Sequence, residues 1–254
     1  MIIHTINFNM VLYIHMLRIN KKYNLENCLN SINIFLNKNL SYKNIDDLEE
    51  KTNIYWNEHY KDFSKYYDYE YLYIALNCFK KYSKNCVLKI FEYLKDKKIE
   101  KILDFGGGIG LTTNLLQDLF LDSPVYYTNL ESSLQNKYFL ENKNNDIKIL
   151  NSLEEILLNG PYDLIVACEL FEHVEKPISL LKNLMRVCNN YFVIENSFNT
   201  DAYGHFKEFN HYGINYKPDD ITKLFLRNIR SQFEEIEIEA WNFRPRIFKR
   251  NKKL

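Results

Sequence analysis

The segment that most constrains this chain is Lys-Ile-Leu-Asp-Phe-Gly-Gly-Gly-Ile-Gly, Lys101 to Gly110. A short apolar run ends in a carboxylate, Asp104, and glycines then fall at alternate positions, Gly106, Gly108 and Gly110. A helix-compatible stretch, Leu111 to Phe120, follows without a break. This order places a glycine turn between a strand and a helix start, where a backbone without Cβ atoms can come close to a ligand. The dinucleotide fingerprint Gly-x-Gly-x-x-Gly is not met. Its third glycine would fall on Leu111 counted from Gly106, or on Thr113 counted from Gly108.

The rest of the chain is organised around that turn. From Ile99 onward strand and helix patterns alternate. Strands are expected at 101–104, 125–130, 147–150, 163–168, 191–194, 233–241 and 246–249. Helices are expected at 110–122, 132–142, 153–158, 178–187 and 219–230, the last with Pro218 at its start and acidic residues in its first turn. Such alternation predicts an α/β fold, a Rossmann-like doubly wound seven-stranded sheet closed by an antiparallel C-terminal hairpin. Residues 1–98 contain no glycine and no proline. They read as a helical N-terminal region, a substrate lid or packing appendage, preceding an α/β unit over 99–254. Tyr71, Ile74, Cys78 and Tyr82 share one helical face, and Tyr66, Tyr67, Tyr69, Tyr71 and Tyr73 crowd its start. That face either packs on the sheet or roofs a pocket.

Bulk properties narrow the function. At 254 residues the chain suffices for one large α/β domain or a domain with an appendage. Its 33 basic and 33 acidic residues cancel, so no global field favours nucleic acid or a membrane. Basic residues do collect at the C-terminus (Arg244, Arg246, Lys249, Arg250, Lys252, Lys253), where a solvated strand and tail is the simplest reading. Five scattered cysteines without a Cys-x-x-Cys pair fit reduced thiols in a cytoplasm. Cys168 lies in an apolar strand and reads as packing. No apolar run reaches the ~18 residues of a membrane span, and no signal-type cleavage site follows the apolar start.

The pattern Asp-x-Gly-x-Gly-x-Gly at 104–110 resembles the first motif of class I S-adenosylmethionine-dependent methyltransferases. The resemblance implies that Asp104, Gly106, Gly108 and Gly110 surround the amino-acid part of S-adenosylmethionine. It also calls for a carboxylate after the second strand to grip the ribose diol. Glu131 stands there, 23 positions beyond Gly108 and near the ~20 expected in the related nucleotide fold. The adenine position after the third strand reads Asn151-Ser152, where the family commonly has Asp; either side chain can hydrogen-bond an amino group.

A second stretch, Tyr162 to Pro177, reads Tyr-Asp-Leu-Ile-Val-Ala-Cys-Glu-Leu-Phe-Glu-His-Val-Glu-Lys-Pro. It resembles the fourth-strand segment of ubiquinone-biosynthesis type O-methyltransferases, the Glu-x-x-Glu-His element included. Small-RNA 2′-O-methyltransferases carry a similar element that holds a divalent cation with a later histidine. That likeness implies Glu169, Glu172 and His173 as ligands for Mg²⁺ or Mn²⁺, with Glu169 also near the cofactor. The later histidine is His205 or His211, both in a segment, 196–217, longer than an ordinary connection. The expectation is O-methylation of a small-molecule or saccharide-type acceptor, with His173, His205 or His211 as base. The alternatives are an RNA or other nucleic-acid 2′-O-methyltransferase, or a non-catalytic protein that binds the cofactor. Against the nucleic-acid reading, Glu-Leu-Phe-Glu stands where a base-methylation element would be.

Overall fold

The computed structural model describes residues 8–37, 45–130, 133–238 and 245–251. The sheet has strands β1 (Ile102–Phe105), β2 (Val125–Thr128), β3 (Lys148–Ile149), β4 (Tyr162–Cys168), β5 (Cys188–Glu195), β8 (Phe233–Ile236) and β9 (Arg246–Arg250). They lie in the order β3-β2-β1-β4-β5-β9-β8. The first five are parallel. β9 runs antiparallel to both β5 and β8, so the last strand lies inside the edge strand that precedes it. Every residue of β1 is buried, as expected for a central parallel strand covered on both faces. The expected Rossmann-like sheet with its antiparallel ending is thus observed.

Local chemistry explains the helices on the second face. α8 (Leu153–Asn159) starts where Ser152 accepts from the Glu155 amide at 3.1 Å and Glu155 accepts from the Asn151 amide at 2.7 Å. α9 (Pro177–Val187) and α10 (Pro218–Arg230) both begin at proline, whose fixed φ suits a first turn. α10 buries Ile221, Phe225 and Ile229 at helical spacing, each contributing about 1.5–3 kcal/mol of apolar burial.

The other face carries α6 (Leu111–Leu119) together with the N-terminal helices. Residues from α1 (Phe8–Lys22), α2 (Leu25–Phe35) and α3 (Ile45–Glu58) share one apolar cluster with Ile102, Val125, Leu164 and Val166 of the sheet. α4 (Tyr69–Cys78) runs through a π-helical turn, Phe79–Ser83, directly into α5 (Lys84–Leu94). α7 (Ser133–Asn142) follows β2. No helix among the described residues is long and apolar enough to cross a membrane.

The segment 196–217 is more ordered than a loop reading suggests. It holds a small hairpin, β6 (Phe209–His211) and β7 (Ile214–Tyr216), separate from the main sheet. β8 ends at Ile236, short of the strand expected to reach residue 241; residues 239–244 lie outside the described region.

Candidate functional site

The strand order reverses between β1 and β4, whose carboxyl ends open a crevice of the kind in which doubly wound sheets bind ligands. A cavity of about 490 Å³ occupies it. Its floor is Asp104 to Ile109 after β1, Thr128 to Leu130 after β2, and Cys168 to Leu170 after β4. Its roof is the Tyr71, Ile74, Cys78, Tyr82 face, carried across α4 and the π turn. That helical face takes both roles open to it: it borders the pocket, and Tyr71, Ile74 and Cys78 also join the apolar cluster that packs on the sheet. The side chains of Tyr66 and Tyr67 lie outside the described residues.

The glycine turn is built from within. Gly106, Gly108 and Gly110 all have left-handed backbones, φ 76°, 52° and 76°. The amides of Gly106 and Gly107 close the turn on the Thr128 carbonyl at 2.9 and 3.0 Å. Gly108 holds its carbonyl toward Tyr127, whose hydroxyl donates to it at 2.6 Å. Gly106 and Gly108 line the cavity, whereas Gly110 is set against Phe139: a Cβ there would meet that ring at 1.9 Å. Phe139 stacks on Tyr127, ring centres 3.8 Å apart. The third glycine therefore answers packing and Gly108 the cavity, while a Cβ at Gly106 would also press on Leu170 Cδ1 at 2.6 Å. Asp104 is buried and accepts from the Thr113 hydroxyl at 2.6 Å. Burial pushes its carboxyl up to about 7, against the opposing pull of that hydrogen bond.

Glu169, which also lines the cavity, follows β4 with φ 47°, a strained backbone for a non-glycine and a frequent companion of functional sites. A one-turn 3₁₀ helix, Phe171–His173, then turns the chain. Glu172 is fully buried and accepts from the Ser197 amide at 2.8 Å. Glu169, Glu172 and His205 place one ligand atom each within 4.8 Å of one another. His205 is one of the two later histidines the resemblance offered, and His173 is not part of this group. The His173 ring stands beside it, and burial, reinforced by neighbouring His205, lowers its pKa to about 3. His205 Nδ1 lies 2.8 Å from the Thr200 carbonyl, so Nδ1 carries a proton donated to that oxygen.

Other expected residues lie elsewhere. His211, in β6, does not line the cavity; burial and then Lys182 lower its pKa. Its distance from the crevice follows from the hairpin, which carries it toward Tyr212 and Tyr216. Asn151 and Ser152 serve the α8 cap and do not line the cavity. Glu131 lies outside the described residues. Trp56 was not foreseen: fully buried on α3, it donates its indole N–H to the His205 carbonyl at 3.1 Å and packs on Tyr203 and Phe206. Nothing local to Trp56 announced this, since its partners are some 150 residues away.

A switch-point crevice lined by a tight glycine turn and by carboxylates with imidazoles is the site of a group-transfer enzyme of the Rossmann-like class. The chain matches the methyltransferase domain family over residues 78–237, and it belongs to that family. It is a methyltransferase. No curated protein matches it. Among solved structures, an O-methyltransferase family protein from Burkholderia thailandensis is similar at TM-score 0.54 and 8% identity, over 85% of this chain and 74% of that one. The plantazolicin methyltransferase BpumL, in complex with a triazolic desmethylPZN analog and SAH, is similar at TM-score 0.52 and 13% identity, over 82% and 98%. At these identities the likeness is one of fold.

Proposed function

We propose that the chain transfers the methyl group of S-adenosylmethionine to a hydroxyl of an uncharged or cationic acceptor, a small molecule or one of saccharide type. The single observation that carries the reading is one cavity lined both by the glycine turn and by Glu169, His173 and His205. Asp104, Gly106 and Gly108 would receive the amino-acid part of the donor, and Glu131 its ribose. SAH, the donor's demethylated form, is bound by BpumL in the similar structure.

Methyl transfer from a sulfonium needs alignment of acceptor oxygen, methyl and sulfur, and loss of the acceptor's proton. The Tyr71, Ile74, Cys78 and Tyr82 roof excludes water and orients the acceptor. Two carboxylates and an imidazole fixed by a backbone carbonyl suit Mg²⁺ or Mn²⁺. Glu169, Glu172 and His205 would hold such a cation, which when bound lowers the pKa of an acceptor hydroxyl.

The lining favours a small molecule over RNA. No lysine or arginine borders the cavity among the described residues. Arg246 of the basic C-terminus is bonded to Glu235, and Arg250 to backbone carbonyls of Met185 and Cys188. The test is transfer of a labelled methyl group to fractionated small-molecule and RNA extracts, with and without a chelator. A chelator-sensitive small-molecule product supports the proposal; label in RNA alone, or no transfer by protein that binds SAH, overturns it.

A further inference from the structure

A second group of metal-ligating side chains among the described residues is Cys86, Cys168 and Glu195, whose ligand atoms lie within 4.8 Å of one another. Each comes from a different element: Cys86 from α5, Cys168 from the end of β4, Glu195 from the end of β5. The two sulfurs are 3.5 Å apart. Cys86 and Glu195 are almost wholly buried, 1% and 3% exposed. Cys168 borders the main cavity, while Cys86 and Glu195 border a second one of about 690 Å³ on the far side. Tyr82 lines both. The group therefore forms part of the partition between two cavities.

We infer that Cys86, Cys168 and Glu195 form a binding site for a thiophilic divalent cation of the Zn²⁺ kind, which ties the helical cap to the sheet. Zinc–sulfur bonds of about 2.3 Å in a tetrahedral field place two sulfurs about 3.8 Å apart, so the observed spacing needs an adjustment of only a few tenths of an ångström. Two thiolates select a soft cation, unlike the oxygen-rich set of Glu169, Glu172 and His205. Binding breaks two S–H bonds and passes both protons to solvent. Two metal–sulfur bonds and one metal–oxygen bond form, and the net charge of the site is unchanged. A water reaching the partition from either cavity supplies the fourth ligand. Because Cys168 directly precedes Glu169, the tie also holds the cavity floor. This site is independent of the function proposed above.

The test is a Co²⁺ titration of the reduced, chelator-stripped full-length protein. One equivalent should produce a thiolate-to-cobalt charge-transfer band with the intense visible absorption of tetrahedral coordination, and Zn²⁺ should displace it. His205→Ala should keep the band. Cys86→Ser and Cys168→Ser should each lower it by about half, and the double variant should abolish it while retaining a cooperative melt. If the serine variants do not fold, the wild-type titration decides: absence of the charge-transfer band overturns the site. So does a band that survives in a folded double variant, or a Cys86–Cys168 disulfide found by non-reducing peptide mass analysis of the purified protein.

Discussion

The rings of His173 and His205 stand perpendicular, at 88°, with centres 4.7 Å apart. One sits on a 3₁₀ turn after β4, the other in the segment after β5, and α3 pins the second through Trp56. In the proposed reading their neighbourhood is where the chemistry takes place, and the glycine turn is where the donor sits. The two can be perturbed separately.

Replacing His205 by alanine removes a ligand of the proposed cation and is expected to lower the rate of methyl transfer by about 10²-fold or more. SAH affinity should stay within about twofold, because the glycine turn is untouched. Single-turnover transfer and calorimetry measure the two quantities. A parallel loss of SAH binding would place His205 in the donor site instead.

Trp56→Phe retains a buried ring but removes the indole N–H from the His205 carbonyl. A lost neutral hydrogen bond costs about 1 kcal/mol, with a small drop in thermal midpoint. Turnover should fall by a larger factor than stability implies, since the carbonyl positions His205. Trp56→Ala should cost about 3–5 kcal/mol in chemical denaturation, as the core aromatic is lost.

Asp104 gives a pH dependence with a definite sign. Its carboxyl lies near 7 in the fold against an ordinary value of 3.8, so the fold disfavours its charged form. Ligand-free stability should therefore decline as pH rises from about 4 to about 7, and level off above. A ligand ammonium favours the carboxylate, so SAH affinity should rise over the upper part of that range, with proton release seen as buffer-dependent heat. Asp104→Asn should flatten both trends.

Gly110→Ala and Gly108→Ala should differ sharply. Both positions have left-handed backbones, which cost a β-carbon about 1–2 kcal/mol. At Gly110 the new methyl also drives into Phe139, whereas at Gly108 its nearest neighbour is Gln135 Oε1 at 3.5 Å. Urea unfolding should show Gly110→Ala more destabilised by about 1–3 kcal/mol, while Gly108→Ala folds and loses SAH affinity.

Much of the fold was legible because its signals are local. Strand and helix patterns alternate, prolines open α9 and α10, and glycines sit where φ is positive. The short strands β6 and β7 were not legible: Phe209 to Tyr216 spans too few residues for either periodicity to emerge. At the site, the Glu-x-x-Glu-His element pointed to Glu169 and Glu172. It could not choose between His205 and His211, whose surroundings in the chain look alike.

The sequence alone determined the glycine turn and its register between strand and helix, because backbone conformation is written residue by residue. It likewise determined the alternating architecture, since hydrophobic period follows from the elements themselves. Tertiary structure alone decided that Gly110 packs on Phe139 and that the Tyr71–Tyr82 face borders a cavity. It also brought Cys86 to Cys168 and Trp56 to His205. Those outcomes depend on distances between residues 82 and 149 positions apart, which no local propensity encodes.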